Sequence, residues 1–247
     1  MKPGLPALLL ACWMPLAGAA EITLSAAASL SNAFKDIAAA FEQERPEHRV
    51  QLNFAASGVL LQQMAHGAPV DIFASADQAT MDQARDLDLL DNASRRDFVS
   101  NSLVLITPMN GQPLQTLEDL RQPVWQRIAV SNPDSVPVGR YSRDVLTGLQ
   151  LWDALQDKFI QTQNVRHSLD YVARGEVDAG FVYATDAALM ADKVSVQLTV
   201  PTATPVLYPV AITAPGTHNP ASHDFIDYLF APASQAILQR YGFGTVQ

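Results

Sequence analysis

The chain has little cysteine, an excess of negative over positive charge and no long apolar run past its first twenty residues. Each of these narrows what it can be. Cys12 is the only cysteine among 247 residues, which excludes a disulfide framework and a cysteine-ligated metal cluster. Sixteen Lys and Arg stand against 25 Asp and Glu, a formal charge of −9, the reverse of a nucleic-acid-binding footprint. After position 20 no run of about 18 apolar residues could cross a bilayer. Catalytic signatures are missing too: no G-x-S-x-G elbow, no phosphate-cradling G-x-x-x-x-G-K-[ST] and no H-E-x-x-H. His48, His66, His167, His218 and His223 are scattered, and the proline-containing loop that holds the last two does not amount to a metal site. What is present is 48% hydrophobic and 17% charged, with 12 Gly and 16 Pro, the composition of a folded globular chain.

The first twenty residues read as a leader. Met1-Lys2 carries the only ionisable side chain there, Leu5 to Leu16 is largely apolar, and Ala17-Gly18-Ala19-Ala20 supplies small residues before Glu21. A charged start, a short apolar stretch and a small-residue cleavage site describe a secretory signal peptide. The alternative, a buried N-terminal helix, is opposed by Pro3, Pro6 and Pro15. Cleavage is expected after Ala19 or Ala20. Loss of residues 1–20 removes Lys2 alone and leaves 15 basic and 25 acidic groups, a net charge of −10. Cys12 in Leu9-Leu10-Ala11-Cys12 loosely resembles a lipoprotein cleavage box but follows too short an apolar stretch, so lipid anchoring is not expected.

From Ile22 onward, strand and helix patterns alternate. Ile22–Ala27 reads as a strand, and Leu30, Phe34, Ile37, Ala38 and Phe41 recur at helical spacing up to Pro46. Strands follow at Val50–Phe54 and Val70–Ala74, with a helix over Leu60–Ala65 closed by Gly67 and another through Met81, Ala84 and Leu87. Ser102–Thr107 is a strand that runs into the Pro108–Pro113 break. The alternation then restarts with Ile128–Val130, a helix over Tyr141–Leu149, Phe159–Thr162, a helix through Val165, Leu169 and Val172 closed by Gly175, and Ala179–Tyr183. Val206–Ile212 reads as a returning strand, and two helical segments end the chain. Such alternation calls for mostly parallel sheets flanked by helices. Two α/β units without a linker suggest two lobes with a ligand cleft between them. The expected division is residues 1–20 as leader, 21–103 with 206–247 as one lobe and 104–205 as the other, hinged around Ser102–Leu105 and Leu207–Val210.

In open α/β sheets ligands sit beyond the carboxyl ends of strands, where helices begin. Ser29 and Ser57 each follow a strand and precede a helix, where each can serve as an N-cap. Pro137-Val138-Gly139 precedes the Tyr141 helix, and Asn164 can cap the helix opened by Val165. Free amides at helix starts carry partial positive charge, so several of them converging on one cleft would hold an anion. Each residue also has an ordinary reading, as a plain cap, a turn or, for Tyr183, a packed aromatic. Arg140 and Arg166 read as solvated side chains rather than ligands. From spacing alone the anion site stays open.

Longer blocks are more specific. Ala26-Ala27-Ala28-Ser29-Leu30, Phe54-Ala55-Ala56-Ser57-Gly58, Gly67-Ala68-Pro69-Val70-Asp71-Ile72-Phe73-Ala74-Ser75-Ala76-Asp77 and Asn101-Ser102-Leu103-Val104 come first. Asn132 to Tyr141 (NPDSVPVGRY), Phe181-Val182-Tyr183 and Arg240-Tyr241-Gly242-Phe243 follow. Together they resemble, in order and across almost all of the chain past the leader, the periplasmic molybdate-binding proteins of ABC importers. The resemblance implies a two-lobed type II periplasmic-binding-protein fold closing over a tetrahedral oxyanion held by neutral donors. Matched motif to motif, the hydroxyls fall on Ser29, Ser57 and Tyr183 and the backbone amides on Val138 and Val165. Where many relatives carry Ser this chain has Ala56, and where they carry Ala it has Val138.

The resemblance further implies molybdate or tungstate as ligand, no cofactor, molybdenum bound only as the oxyanion, a membrane permease as partner, a periplasmic location and a monomer. Other classes stand beside it: an enzyme, the same fold binding sulfate, phosphate or a carboxylate gripped by Arg140 or Arg166, and the effector domain of a transcription regulator. The last would need a DNA-binding helix-turn-helix, and none precedes Glu21.

Overall fold

The structure is a computed structural model that describes residues 20–246. The expected leader and Cys12 lie outside the described residues, apart from Ala20, which opens the first strand. The elements run β1 (Ala20–Ala27), α1 (Ser31–Glu44), β2 (His48–Ala55), α2 (Ser57–Ala65), β3 (Ile72–Ala74), α3 (Gln78–Asp86), β4 (Arg96–Asn101) and β5 (Leu103–Pro108). Then come β6 (Ile128–Ser131), α4 (Pro137–Gly148), α5 (Trp152–Leu155), β7 (Phe159–Thr162), α6 (Val165–Ala173), β8 (Ala179–Tyr183) and α7 (Ala184–Leu189). The chain closes with β9 (Val194–Val200), β10 (Val206–Ile212), α8 (Pro220–Phe230) and α9 (Pro232–Arg240).

Ten strands form two five-stranded sheets with matching plans, β2-β1-β3-β10-β4 and β7-β6-β8-β5-β9. In each, three parallel strands joined by helical crossovers are followed by an antiparallel strand, β10 or β5, and an outer strand antiparallel to it, β4 or β9. Parallel strands covered on both faces should be apolar throughout, and Ile22, Leu24, Ala26, Ile72, Phe73 and Ala74 are all fully buried. Across them α1 lays Phe34, Ile37 and Phe41, the i, i+3, i+7 stripe read in the sequence. Gly67 and Gly175 follow α2 and α6 with φ of +88° and +68°, left-handed positions that glycine takes without a Cβ penalty.

Three local expectations are corrected. The strand expected from Val70 begins at Ile72, because Asp71 turns its N–H and carboxylate to the Thr23 backbone (2.8 and 2.7 Å). The helix expected from Tyr141 begins four residues earlier at Pro137, whose fixed φ and missing N–H suit a first helical position. The chain passes between the sheets at Ser102 and again over residues 201–205. Leu207–Val210, expected as a hinge, is instead part of β10, registered along its length against β4 and at Val210 also against β3. Strands β4 and β9, unassigned in the sequence, are the outer strands next to these passages.

Candidate ligand-binding site

Five loops at the carboxyl ends of strands meet where the two sheets face each other. Ser29 comes from the turn after β1, Ser57 from the start of α2, Val138 from the first turn of α4, Val165 from the start of α6 and Tyr183 from the end of β8. All five line one cavity. Each is at least 96% buried, Val165 being the most exposed at 4%. Among the described residues no lysine, arginine or carboxylate lines it. The space admits the centre of a water molecule over about 10 Å³. For a spherical void that means a radius of roughly 2.7 Å once a 1.4 Å water is added. One compact polyatomic ion fits; an amino acid or sugar does not.

The polarity of the site follows from local structure. Pro137 has no N–H, so Val138 supplies the first amide of α4, and no carbonyl within the helix can reach it. Asn164 caps α6 as expected, its Oδ1 accepting from the amides of Arg166 (2.9 Å) and His167 (3.1 Å), and this leaves the Val165 N–H. The serines are not the N-caps expected. Ser29 lies in a 3-10 turn ahead of α1, and Ser57 is the first residue of α2, after the side-chain-silent cap Ala56. Their hydroxyls serve other partners: Ser57 Oγ accepts the Ala76 N–H at 3.1 Å, and Ser29 Oγ lies 3.0 Å from the Tyr208 hydroxyl. Because Ser57 already accepts, its own hydrogen is available to the cavity.

Tyr183 is the most telling of the five. Its hydroxyl is buried and has no hydrogen-bond partner among the described residues, a costly arrangement for a polar group. Burial, with the Tyr208 hydroxyl as the next contributor, raises its pKa well above the ordinary tyrosine value, so it stays protonated and can donate. Three hydroxyl-bearing residues and two residues with unused helix-start amides therefore line one small void. A donor-only pocket satisfies an anion that carries no proton and leaves a protonated anion's hydrogen without an acceptor, at a cost of about 1–3 kcal/mol.

Arg140 and Arg166 do not line the cavity, but neither are they solvated as expected. Both tie the lobes together. Arg140 of α4 donates from Nε to Asp77 Oδ2 at 2.7 Å, across to the loop before α3. Arg166 of α6 donates from Nη1 to Asn32 Oδ1 (3.0 Å) and from Nη2 to the Ser29 carbonyl (3.1 Å). Behind it, Arg166 Nε sits 2.6 Å from Asp186 Oδ1, opposite charges in contact without an aligned N–H···O bond. Burial lifts the Asp186 carboxyl to a pKa of about 6 against the pull of Arg166. A third tie runs from the Gly58 N–H to the Ser135 carbonyl at 2.9 Å. The conformation is thus a closed one. Asp77 and Asn32 escaped the sequence reading. Asp77 does close the most specific block, but nothing in that block points to an arginine 63 residues away.

Two lobes closed by polar ties over an ion-sized void without a charged lining residue define a ligand-capturing protein rather than a catalyst. The chain belongs to the bacterial extracellular solute-binding protein family, whose sequence profile matches residues 22–244. It is 39% identical over 236 residues to the molybdate-binding protein ModA of Escherichia coli (strain K12), covering 92% of this chain and 90% of that one. The periplasmic molybdate-binding protein of Azotobacter vinelandii superposes with a TM-score of 0.79 at 24% identity, over 92% of this chain and 100% of the other. The sulfate-binding protein SubI from Mycobacterium tuberculosis H37Rv reaches the same TM-score at 17% identity, over 92% and 87%. At such identities these two structures speak for the fold alone, which confirms the two-lobed periplasmic-binding-protein architecture and does not choose the anion. Among the described residues no group of three or more His, Cys, Asp or Glu could hold a bare metal ion, and no helix is long and apolar enough to cross a membrane.

Proposed function

We propose that this protein captures molybdate, and tungstate with it, in the periplasm and delivers it as a monomer to the membrane permease of an ABC importer. The observation that carries the reading is that Ser29, Ser57, Val138, Val165 and Tyr183 line one void that no charged side chain lines among the described residues; we take the three hydroxyls and the two amides as the donors. Molybdate at neutral pH is a proton-free dianion that only accepts hydrogen bonds, so five donors satisfy it. Hydrogen bonds to an ionised acceptor are about twice as strong as neutral ones, and a closed, water-poor cavity strengthens them further. Helix starts add roughly 0.3–1 kcal/mol each, up to about 2 where buried. An acidic protein can thereby hold a dianion without a lysine or arginine at the ligand. The relative that is 39% identical carries molybdate in its name, and that supports this anion over others.

Sulfate, equally proton-free at this pH, is not rejected by hydrogen-bond logic. The discrimination proposed is by size: molybdate's metal–oxygen bonds are longer, and donors set by helix starts and a strand end to the larger ion would not contract around a smaller one. Capture follows as a population shift, with ligand stabilising the closed lobes against an open form. The test is thermal unfolding of the chain from Glu21 with molybdate, tungstate, sulfate or phosphate. Ligand at about a thousand times its Kd stabilises by roughly 4 kcal/mol, a rise of about 8–16 °C for a chain of this size. Large rises with molybdate and tungstate alone support the reading. A rise with sulfate or phosphate in their place keeps the fold's role and overturns the ligand.

A further inference from the structure

From the cavity a polar chain runs back through Ser29 and the buried Tyr208 hydroxyl to the edge of the lobe. It ends at Asn101, the last residue of β4. Asn101 Oδ1 accepts the Ser102 N–H at 2.9 Å. A backbone N–H can only donate, so this contact fixes which end of the side-chain amide is oxygen and turns Nδ2 inward. Nδ2 donates to Thr185 Oγ1 (2.9 Å) and to the hydroxyl of Tyr208 (3.2 Å). Tyr208 is fully buried, and burial pushes its pKa well above the ordinary value, so its hydroxyl keeps its proton. That hydroxyl lies 3.0 Å from Ser29 Oγ.

The distances alone leave open which oxygen donates in the last contact, and the chemistry of the phenol settles it. A phenolic hydrogen prefers the ring plane, where it has two sites about the oxygen. The Asn101 Nδ2 can only donate to that oxygen, so among the described residues Ser29 Oγ is the acceptor left for the Tyr208 hydrogen. Ser29 Oγ accepts there, and its own hydrogen is left for the cavity that the residue lines. The opposite polarity would aim serine lone pairs at an anion.

We propose that Asn101 and Tyr208 are positioning residues that hold Ser29 as a hydrogen donor and thereby set selectivity against protonated oxyanions such as hydrogen phosphate. The proposal rests on the reading above that Ser29 grips the anion. Without the relay the serine hydroxyl rotates freely and can accept from a protonated ligand.

The test is titration calorimetry with molybdate and with hydrogen phosphate on the wild type, Ser29→Ala, Tyr208→Phe, their double variant and Asn101→Ala. Phenylalanine keeps the ring and its edge-on packing against Tyr183 and Phe98, and unfolding of each ligand-free variant checks the fold. Ser29→Ala is expected to weaken molybdate about 10–100-fold, the worth of a hydrogen bond to a charged group. Tyr208→Phe is expected to weaken it roughly 3–10-fold, as loss of one neutral hydrogen bond would. Phosphate affinity should hold or rise, so the molybdate-to-phosphate ratio falls. In the Ser29→Ala background Tyr208→Phe should add nothing. Asn101→Ala, which releases the Tyr208 hydrogen and leaves the ring in place, should lower the ratio in the same direction. An unchanged ratio in Tyr208→Phe and Asn101→Ala, or an equal loss with and without Ser29, overturns the relay while leaving the site intact. An unchanged molybdate affinity in Ser29→Ala overturns both the assignment of Ser29 as a ligand and the relay built on it.

Discussion

Deleting the Tyr183 hydroxyl isolates the contribution of one donor. In Tyr183→Phe the ring remains, packed edge-on against Tyr208 at 5.8 Å between centroids, and no hydrogen bond is lost among the described residues because the hydroxyl makes none there. The ligand-free protein should unfold within a few degrees of wild type. The liganded protein loses one bond to an ionised acceptor, worth about 1.5–3 kcal/mol, so Kd for molybdate should rise by roughly 10–150-fold. At a concentration a thousand times the wild-type Kd, a 30-fold loss cuts the ligand's stabilisation from about 4 to about 2 kcal/mol. The melting shift then drops from roughly 8–16 °C to 4–8 °C. Calorimetric titration gives Kd directly, and scanning with and without ligand gives the two melting points. A Kd within threefold of wild type, with the ligand-free melting point unchanged, would refute the assignment of Tyr183 as a donor.

Other substitutions should leave different signatures. Ser57→Ala removes a donor and also strands the buried Ala76 N–H that Ser57 Oγ accepts. Its affinity should fall and, unlike Tyr183→Phe, its ligand-free stability should fall by about 1–3 kcal/mol, readable by urea titration. Arg140→Ala removes a tie between lobes and leaves the 95%-buried Asp77 carboxylate without its cation. It should lower stability by about 3 kcal/mol and weaken every oxyanion by the same factor, so a change in molybdate-to-sulfate selectivity would place Arg140 at the ligand after all. Asp186, whose folded pKa of about 6 lies above its unfolded value near 3.8, binds more protons folded than unfolded between those pH values. Its contribution is full below pH 4 and is lost as pH rises through 6. Unfolding followed from pH 4 to 7 should show a decline in stability that Asp186→Asn flattens, and an unchanged slope in that variant would count against a buried, proton-binding carboxyl.

Much of the site was legible because helix starts are local. Asn164 before Val165, and Pro137 ahead of Val138, mark amides that no helix can use, and five or six residues of sequence are enough to say so. Strand edges were less legible. β4 reads Arg96-Asp97-Phe98-Val99-Ser100-Asn101, with two adjacent buried residues in a polar run. β9 does alternate, but Val196 on its apolar register is 50% exposed, since an outer strand is held by backbone pairing on one side only. The capping role expected of the two serines failed for a related reason. A hydroxyl between a strand and a helix chooses among acceptors and donors, and the Ala76 N–H and the Tyr208 hydroxyl are 19 and 179 residues away.

The sequence by itself determined the alternating α/β plan, the free amides at helix starts, the lack of any cysteine after Cys12 and, through its ordered blocks, the resemblance to an oxyanion-binding family. Each of these depends on residues within a turn or two of one another. The tertiary structure alone decided that the donors meet in one ion-sized void, that Tyr183 is buried without a partner, and that Arg140 and Arg166 tie the lobes instead of facing solvent. Those facts depend on groups 60 to 140 residues apart being brought within 3 Å or so, and no periodicity or cap signal carries information over that distance.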